Sequence, residues 1–523
     1  MRAKAGIVGL MLALAVPAAA APTYLETPAG EKPRVVITAD PELDDNNSLI
    51  RYLLHAPDFR TEGLIYASSQ FHWRGDGKGT RFSRPGREYN RFGLNLCPCT
   101  SWRWAPDERF IDDAVDAYAA AYPNLSRHDP AYPTPAALRA TIRWGNVDFD
   151  GEMEKDTPGS TLIAGLLLDD EQSPIYLHAW GGQSTIARAL KSIEERYAGT
   201  PQWPAVRSRV IAKAVIHPSG DQDDTYRDYI AKVWPEIRYR RLDGGIPLGY
   251  GAQARVSPSD SAFFTADWTR RNVSSRGPLG ALYRVWGDGK QMVKGDVMDY
   301  FGESGKSADQ LRAEGFVVWT PPRGQGEFLG EGDTTTFLNL VDNGLAGYRG
   351  DMFGGWGGYA RTTPEPSFGE LLAAMSAPGA AARPPLPRLP THPFLAAAQN
   401  DLAARFSWAT TADVRAANHP PRVTLAGAAL RTVRPGEAVP IAATARDPDG
   451  DRLALRWWQW PEAGRYAGRA APARGQPGTP FVVPADARAG DRFDIVAEAE
   501  DTGTPPLTAY GRMVLTVAAP DAR

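Results

Sequence analysis

Between Arg34 and about Tyr348 short apolar runs alternate with stretches of helical spacing, and this alternation most constrains the fold. Arg34 to Ile37, Gly63 to Ala67, Pro174 to Trp180, Arg209 to Ile216 and Phe316 to Thr320 read as strands. Ser48 to His55, Pro106 to Ala121, Ser184 to Tyr197 and Tyr226 to Val233 read as helices. In the second of these, Phe110, Ala114, Val115 and Tyr118 share one face. Strands separated by helices pair in parallel through crossovers, so the expected fold is α/β, a mostly parallel sheet with flanking helices. Ligands of such sheets sit at the carboxyl ends of the strands.

The first of those ends is the most informative. Asp40, Glu42, Asp44 and Asp45 put four carboxylates within six residues, between the strand and the helix that follows. Clustered carboxylates repel one another unless a cation lies among them, and hard divalent ions take several oxygen ligands. An acidic helix cap would explain one such residue. It does not explain four.

A Pro- and Ala-dense stretch from Pro364 to Pro393, with Arg383-Pro384-Pro385-Leu386-Pro387, is followed by a helical pattern over Phe394 to Phe406. The α/β domain is therefore expected to span residues 33–411. From 418 to 520 the pattern changes to β alternation with turn signals. Val423 to Leu425, Val439 to Ala445, Arg452 to Trp460, Phe481 to Val483, Phe493 to Ala499 and Gly511 to Val517 are expected strands of an all-β sandwich. Alternation puts Trp458 and Trp460 on one face and Trp457 on the other, with at least one ring expected in solvent. The turn Asp447-Pro448-Asp449-Gly450-Asp451 needs no ion to explain it.

At the amino end Arg2 and Lys4 precede an apolar run over Ile7 to Val16 and an Ala18-Ala19-Ala20 cleavage signature. Residues 1–20 thus read as a secretory signal, and the product as periplasmic or secreted. No later stretch has the length of a membrane helix. A net charge of −3 supplies no basic field, which argues against nucleic acid as partner. Cys97 and Cys99 are the only cysteines; their spacing is poor for zinc and a bridge across one residue is expected to be strained, so they are read as structural. Neither a phosphate-loop G-x-x-x-x-G-K nor a G-x-S-x-G element occurs. Fifteen Trp and nineteen Tyr suit either an aromatic-rich core or platforms for sugar rings. His72-Trp73, Trp102-Arg103-Trp104 and Gly354-Gly355-Trp356-Gly357-Gly358 are the candidate stacking loops. Nothing in the sequence sets the oligomeric state.

Asp40-Pro41-Glu42-Leu43-Asp44-Asp45 resembles the D-x-D-x-G-x-D-D metal signature of the nucleoside hydrolases. Trp180-Gly181-Gly182-Gln183-Ser184-Thr185-Ile186-Ala187-Arg188-Ala189-Leu190 is similar to their G-G-x-T-N-I-A-x-A-L segment. Over residues 33 to 520 the chain resembles the secreted cellulose-binding proteins that join a nucleoside-hydrolase-like domain to an immunoglobulin-like tail.

The resemblance implies calcium (Ca2+) held by Asp40, Asp45, Asp333 and the carbonyl of Trp180, with Asp44 in support. It implies glycosidic cleavage, with Asp40 as base toward water and a carboxylic acid, Glu42 or Glu331, protonating the leaving group. It places Gln70, Asp221 and Asp224 near the sugar, though Asp221 and Asp224 serve equally well as caps for the helix at Tyr226. There are departures. Thr38 stands for the first aspartate, Glu42 for a glycine, and Gly332 for the histidine that assists base departure, which shifts the expected substrate from nucleosides toward a carbohydrate, a pentofuranoside among the candidates.

Overall fold

The computed structural model describes residues 22–91, 93–361, 387–468 and 480–519. The expected secretory signal and most of the Pro-rich stretch lie outside these residues. Six parallel strands form the central sheet, β1 Arg34–Ala39, β2 Arg60–Tyr66, β3 Ile142–Trp144, β4 Ile175–Ala179, β5 Ala214–Pro218 and β6 Arg238–Tyr239, in the order β3-β2-β1-β4-β5-β6. β1 is wholly buried and pairs with β2 on one side and β4 on the other. The chain therefore winds outward in both directions from β1 and β4, and their carboxyl ends form the crevice where such sheets bind ligands.

Helices cover both faces. Leu43–Leu54 (α1) and Phe110–His128 pack on one side and join the large core cluster with Leu49, Leu53, Val115 and Tyr118. Pro158–Leu168, Ser184–Tyr197 and Trp203–Lys213 pack on the other through Ile163, Leu190 and Val210.

Two expectations for this domain are corrected. The strand expected over 209–216 is a helix, Trp203–Lys213, running straight into β5; its early apolar pair, Val210 and Ile211, is buried as one helical face. Residues 316–320 carry no strand, because this segment meets only another irregular stretch through a single backbone bond, Val317 N–H to the Val297 carbonyl. Cys97 and Cys99, read as structural with their state left open, are joined as a disulfide.

The β domain has a four-stranded sheet in the order Leu430–Val433, Thr508–Val517, Arg492–Asp501, Leu453–Gln459. Short pairs of strands complete it, Arg422–Leu425 with Ala443–Arg446 and Ala438–Val439 with Phe481–Val482. Pro440, which has no N–H to give a ladder, splits the run expected over 439–445.

Both faces of the two central strands of the four-stranded sheet, Arg492–Asp501 and Thr508–Val517, are largely buried. Phe493, Ile495, Met513 and Leu515 fill the sandwich core, joined by Trp457. Val496, Tyr510, Trp458 and Trp460 pack instead onto the α/β domain, with Phe394 centred 5.0 Å from Trp460 and 5.6 Å from Trp458. No ring of this tryptophan run stands in solvent, contrary to expectation, because each face of the strand has a core to join. At the seam Arg512 donates to the carbonyls of Met352 (2.6 Å) and Gly354 (2.7 Å) while paired with Asp494.

Candidate metal centre

The loop after β1 makes one tight turn, Glu42 N–H to the Asp40 carbonyl at 2.7 Å, and enters α1 at Leu43. Glu42 occupies the cap position in extended backbone yet its side chain caps nothing. The carboxylate is thus left for another use, against the reading of the cluster as a helix cap. Asp45 accepts the Asp40 N–H at 3.2 Å, and Asp44 accepts the Gly332 N–H at 3.1 Å. A side chain at Gly332 would begin 2.5 Å from the Asp44 carboxylate, so the loop in this conformation leaves no room for one. Asp333 begins the helix Thr334–Leu338, and its carboxyl meets those of Asp45 and the hydroxyl of Ser219.

The loop after β4 closes on this group. A Cβ on Gly181 would lie 2.8 Å from the Asp40 carboxylate, and one on Gly182 would lie 2.3 Å from that of Asp223. Glycine alone permits so close an approach. The Trp180 carbonyl accepts from Gln222 Nε2 at 2.6 Å and keeps a second lone pair. One oxygen of Asp40, Oδ2, accepts from Ser69 and lies 3.3 Å from His72 Nδ1. The other, Oδ1, is buried without a hydrogen-bond partner.

Asp40, Asp44, Asp45 and Asp333 are all buried, and no lysine or arginine forms an ion pair with them or with Glu42 among the described residues. Burial first, then the neighbouring carboxylates, raise the pKa values of Glu42, Asp45 and Asp333 well above the usual carboxylate range. Burial pushes Asp44 up to about 6. Ligand atoms of Glu42, Asp44 and Asp45 lie within 4.8 Å of one another, as do those of Asp40, Glu42 and His72. Oxygen donors, an orphaned Asp40 oxygen and uncompensated negative charge fit a hard divalent ion.

Beside the cluster is a cavity of about 240 Å³. Glu42, Asp44, Asp45 and Asp333 form its acidic side; Phe71, Met298, Trp319 and Tyr250 form a largely apolar side. Gln222 and Arg91 also face it. The sequence did not point to these last six. They come from irregular loops, where no periodicity reports which way a side chain faces.

Several expected site residues lie elsewhere. Glu331 is fully buried against Arg51 (2.5 and 3.1 Å) and also accepts from Tyr283 and Thr334, so it is a structural ion-pair partner that does not line the cavity. Trp356 is buried between the two domains, its indole N–H 3.4 Å from the Tyr510 hydroxyl. Its flanking glycines serve close packing: a Cβ on Gly357 would lie 2.2 Å from the Thr335 carbonyl. Trp73 is also fully buried, among Phe82, Tyr89 and Phe149. Trp102 and Trp104 are buried as well, so none of the three expected stacking loops presents a tryptophan.

Asp221 caps the backbone N–H groups of Tyr226 (3.1 Å) and Arg227 (3.0 Å). Asp224 pairs with Arg87 and Arg227. Neither lines the cavity, and the capping alternative describes Asp221. Gln70 lies one layer behind the wall, donating to the Gln222 carbonyl at 2.9 Å and accepting from Arg91 at 3.1 Å. His72 is buried against Asp40 and presents no sugar-facing surface. In the sandwich turn Asp447 Oδ1 accepts from the N–H groups of Asp449 and Asp451, both at 2.9 Å, and Oδ2 is buried without a hydrogen-bond partner.

Sheet order and strand-end acids together define a nucleoside-hydrolase-like α/β protein. The chain matches the family described as cellulose-binding Sde182, nucleoside hydrolase-like domain, over residues 34–359, more than half its length, and belongs to that family. Residues 438–517 match the family described as cellulose-binding protein Sde0182, C-terminal domain. A similar solved structure is that of a nucleoside hydrolase-related hypothetical protein from Saccharophagus degradans, described as associated with carbohydrate metabolism. It is 24% identical, superposes with a TM-score of 0.63, and covers 93% of this chain and 100% of its own, which shows the shared fold. No curated protein matches the chain.

Proposed function

We propose that this chain is a secreted, calcium-dependent glycosidase, cleaving an N- or O-glycosyl bond of a carbohydrate such as a pentofuranoside, and that it also binds polysaccharide. The observation that carries the reading is the convergence of Glu42, Asp44, Asp45 and Asp333, from opposite ends of the domain, on one half-enclosed cavity with an apolar wall, with Asp40 buried directly behind them. At about 240 Å³ it lies below the roughly 300–1,000 Å³ usual for drug-sized ligands, a volume suited to one sugar unit.

Asp40, Asp45, Asp333 and the Trp180 carbonyl would hold the ion. When bound, a divalent cation here supplies Lewis acidity toward water and grips vicinal hydroxyls. Asp40 accepts the proton of the attacking water through its unpartnered Oδ1. With Glu331 committed to Arg51, Glu42 is the remaining acid of the pair, and burial beside Asp44 and Asp40 favours its protonated form. The surrounding carboxylates stabilise positive charge at the anomeric carbon. Phe71 and Trp319 offer the apolar contact that a sugar face needs.

A second reading, a carbohydrate-binding protein without turnover, draws on the family's cellulose-binding description and on Gly332 in the place of a catalytic histidine. Aryl glycosides, nucleosides and oligosaccharides, offered to calcium-loaded and chelated protein, separate the two. Asp40→Asn should lower turnover by about 10²–10⁴-fold while sugar affinity remains. Binding with no turnover on any substrate would favour the second reading, and activity that survives chelation would refute the first.

A further inference from the structure

The acid cluster has two poles. Asp44, Asp45 and Asp333 gather toward the Gly332 loop, whereas Asp40 and His72 gather toward the loop after β2, and Glu42 is shared between them. We propose a second cation position at the latter pole, held by Asp40, Glu42 and His72 and suited to a borderline transition metal such as Zn2+. The inference rests on the reading of this pocket as a metal centre and adds a means of regulating it.

His72 is fully buried, and its Nε2 has no hydrogen-bond partner. Its ligand atom lies within 4.8 Å of those of Asp40 and Glu42. A buried imidazole within ligand distance of two carboxylates, its Nδ1 3.3 Å from Asp40 Oδ2 and its Nε2 unmet, is a donor set awaiting an acceptor. Nitrogen among oxygens shifts preference from calcium toward zinc or manganese. The charge points the same way. One divalent ion neutralises two of five carboxylates, four of them buried, that form no ion pair with a lysine or arginine among the described residues. Glu42 is the residue that makes the second pole, since the glycine of the nucleoside-hydrolase signature could not serve as ligand. An ion bound there would occupy the Glu42 carboxylate and withdraw it as a proton donor, so zinc should bind beside calcium and inhibit.

Metal content of the full mature protein tests this, read by native mass spectrometry after equilibration with calcium and then with zinc. One calcium and one zinc per chain are expected. His72→Gln and Glu42→Gln should keep the calcium and lose at least about tenfold in zinc affinity, the loss that outer-shell changes alone can cause. In the unsubstituted protein, Mn2+ added after calcium should show nitrogen coupling in its electron spin-echo spectrum, a readout that needs no variant to fold. Zinc that only displaces calcium one for one, or manganese without nitrogen coupling, would overturn the second position and leave the first intact. Failure to bind either ion would overturn both.

Discussion

At the seam between the domains Asp494 meets Arg512 with both side chains fully buried, whereas at the strand ends Asp40, Glu42, Asp44, Asp45 and Asp333 form no ion pair with a lysine or arginine among the described residues, Arg103 acting on Glu42 only from further off. Two further buried acids follow the pattern of the seam. Glu331 has Arg51, and Asp401 has Arg405 and His55. Burying a charge costs several kcal/mol unless a partner compensates it. Other buried acids without an ion pair, such as Asp299, take backbone N–H groups, whereas this cluster sets five unpaired carboxylates together beside a cavity, as a site for a cation from outside would.

The two regions should answer opposite perturbations. Truncating a partner in the paired regions leaves a naked buried charge: Arg512→Ala should cost about 3–5 kcal/mol in urea denaturation, with loss of the bonds to Met352 and Gly354 adding to it. A loss below about 1 kcal/mol would mean that the seam tolerates water. At the cluster, calcium at a hundredfold its dissociation constant should stabilise the protein by about 2.7 kcal/mol. Asp333→Asn should abolish that gain, whereas Glu331→Gln, though destabilising, should leave it in place. Without metal, Asp45→Asn should stabilise the fold, by on the order of 1 kcal/mol at neutral pH, since it removes one member of a mutually repelling group. Destabilisation by that variant would deny the contrast.

The pH dependence carries the same opposition with smaller effects. Asp44 sits at about 6 in the folded protein against about 3.9 unfolded, and Glu42, Asp45 and Asp333 are displaced in the same direction by burial. The folded state then binds more protons, so metal-free stability should fall as pH rises from about 4 through 6 and beyond. Burial would raise Asp401 too, but Arg405 and His55 outweigh it and hold that carboxyl well below the usual range. Its contribution is present above about pH 4 and is lost as pH falls below the unfolded value. Calcium should flatten the alkaline limb and leave the acid limb unchanged, as followed by thermal unfolding across pH.

The sequence disclosed the parts of the molecule that repeat or that carry charge. Arg34–Ala39 and Ile175–Ala179 were legible as buried strands because their apolar runs end in turn residues, and the cluster from Asp40 to Asp45 because four acids so close need a reason. Asp333 was legible only through a resemblance. Periodicity could not show that Trp356 and Trp460 are buried at a seam, since that depends on the second domain lying against the first. Nor could it show that Glu331 turns toward Arg51 while Asp333, two residues later, turns to the cavity. Gln222 was passed over for its acidic neighbours Asp221 and Asp224, yet they bind backbone and arginines while the amide faces the pocket.

Calorimetric titration of the metal-free protein with calcium tests the central claim most directly, run in parallel on Asp333→Asn. A saturable calcium site in the unsubstituted protein, absent from the variant, is the expected result. Equal heats from the two proteins, or none from either, would mean that these buried acids hold protons instead of an ion.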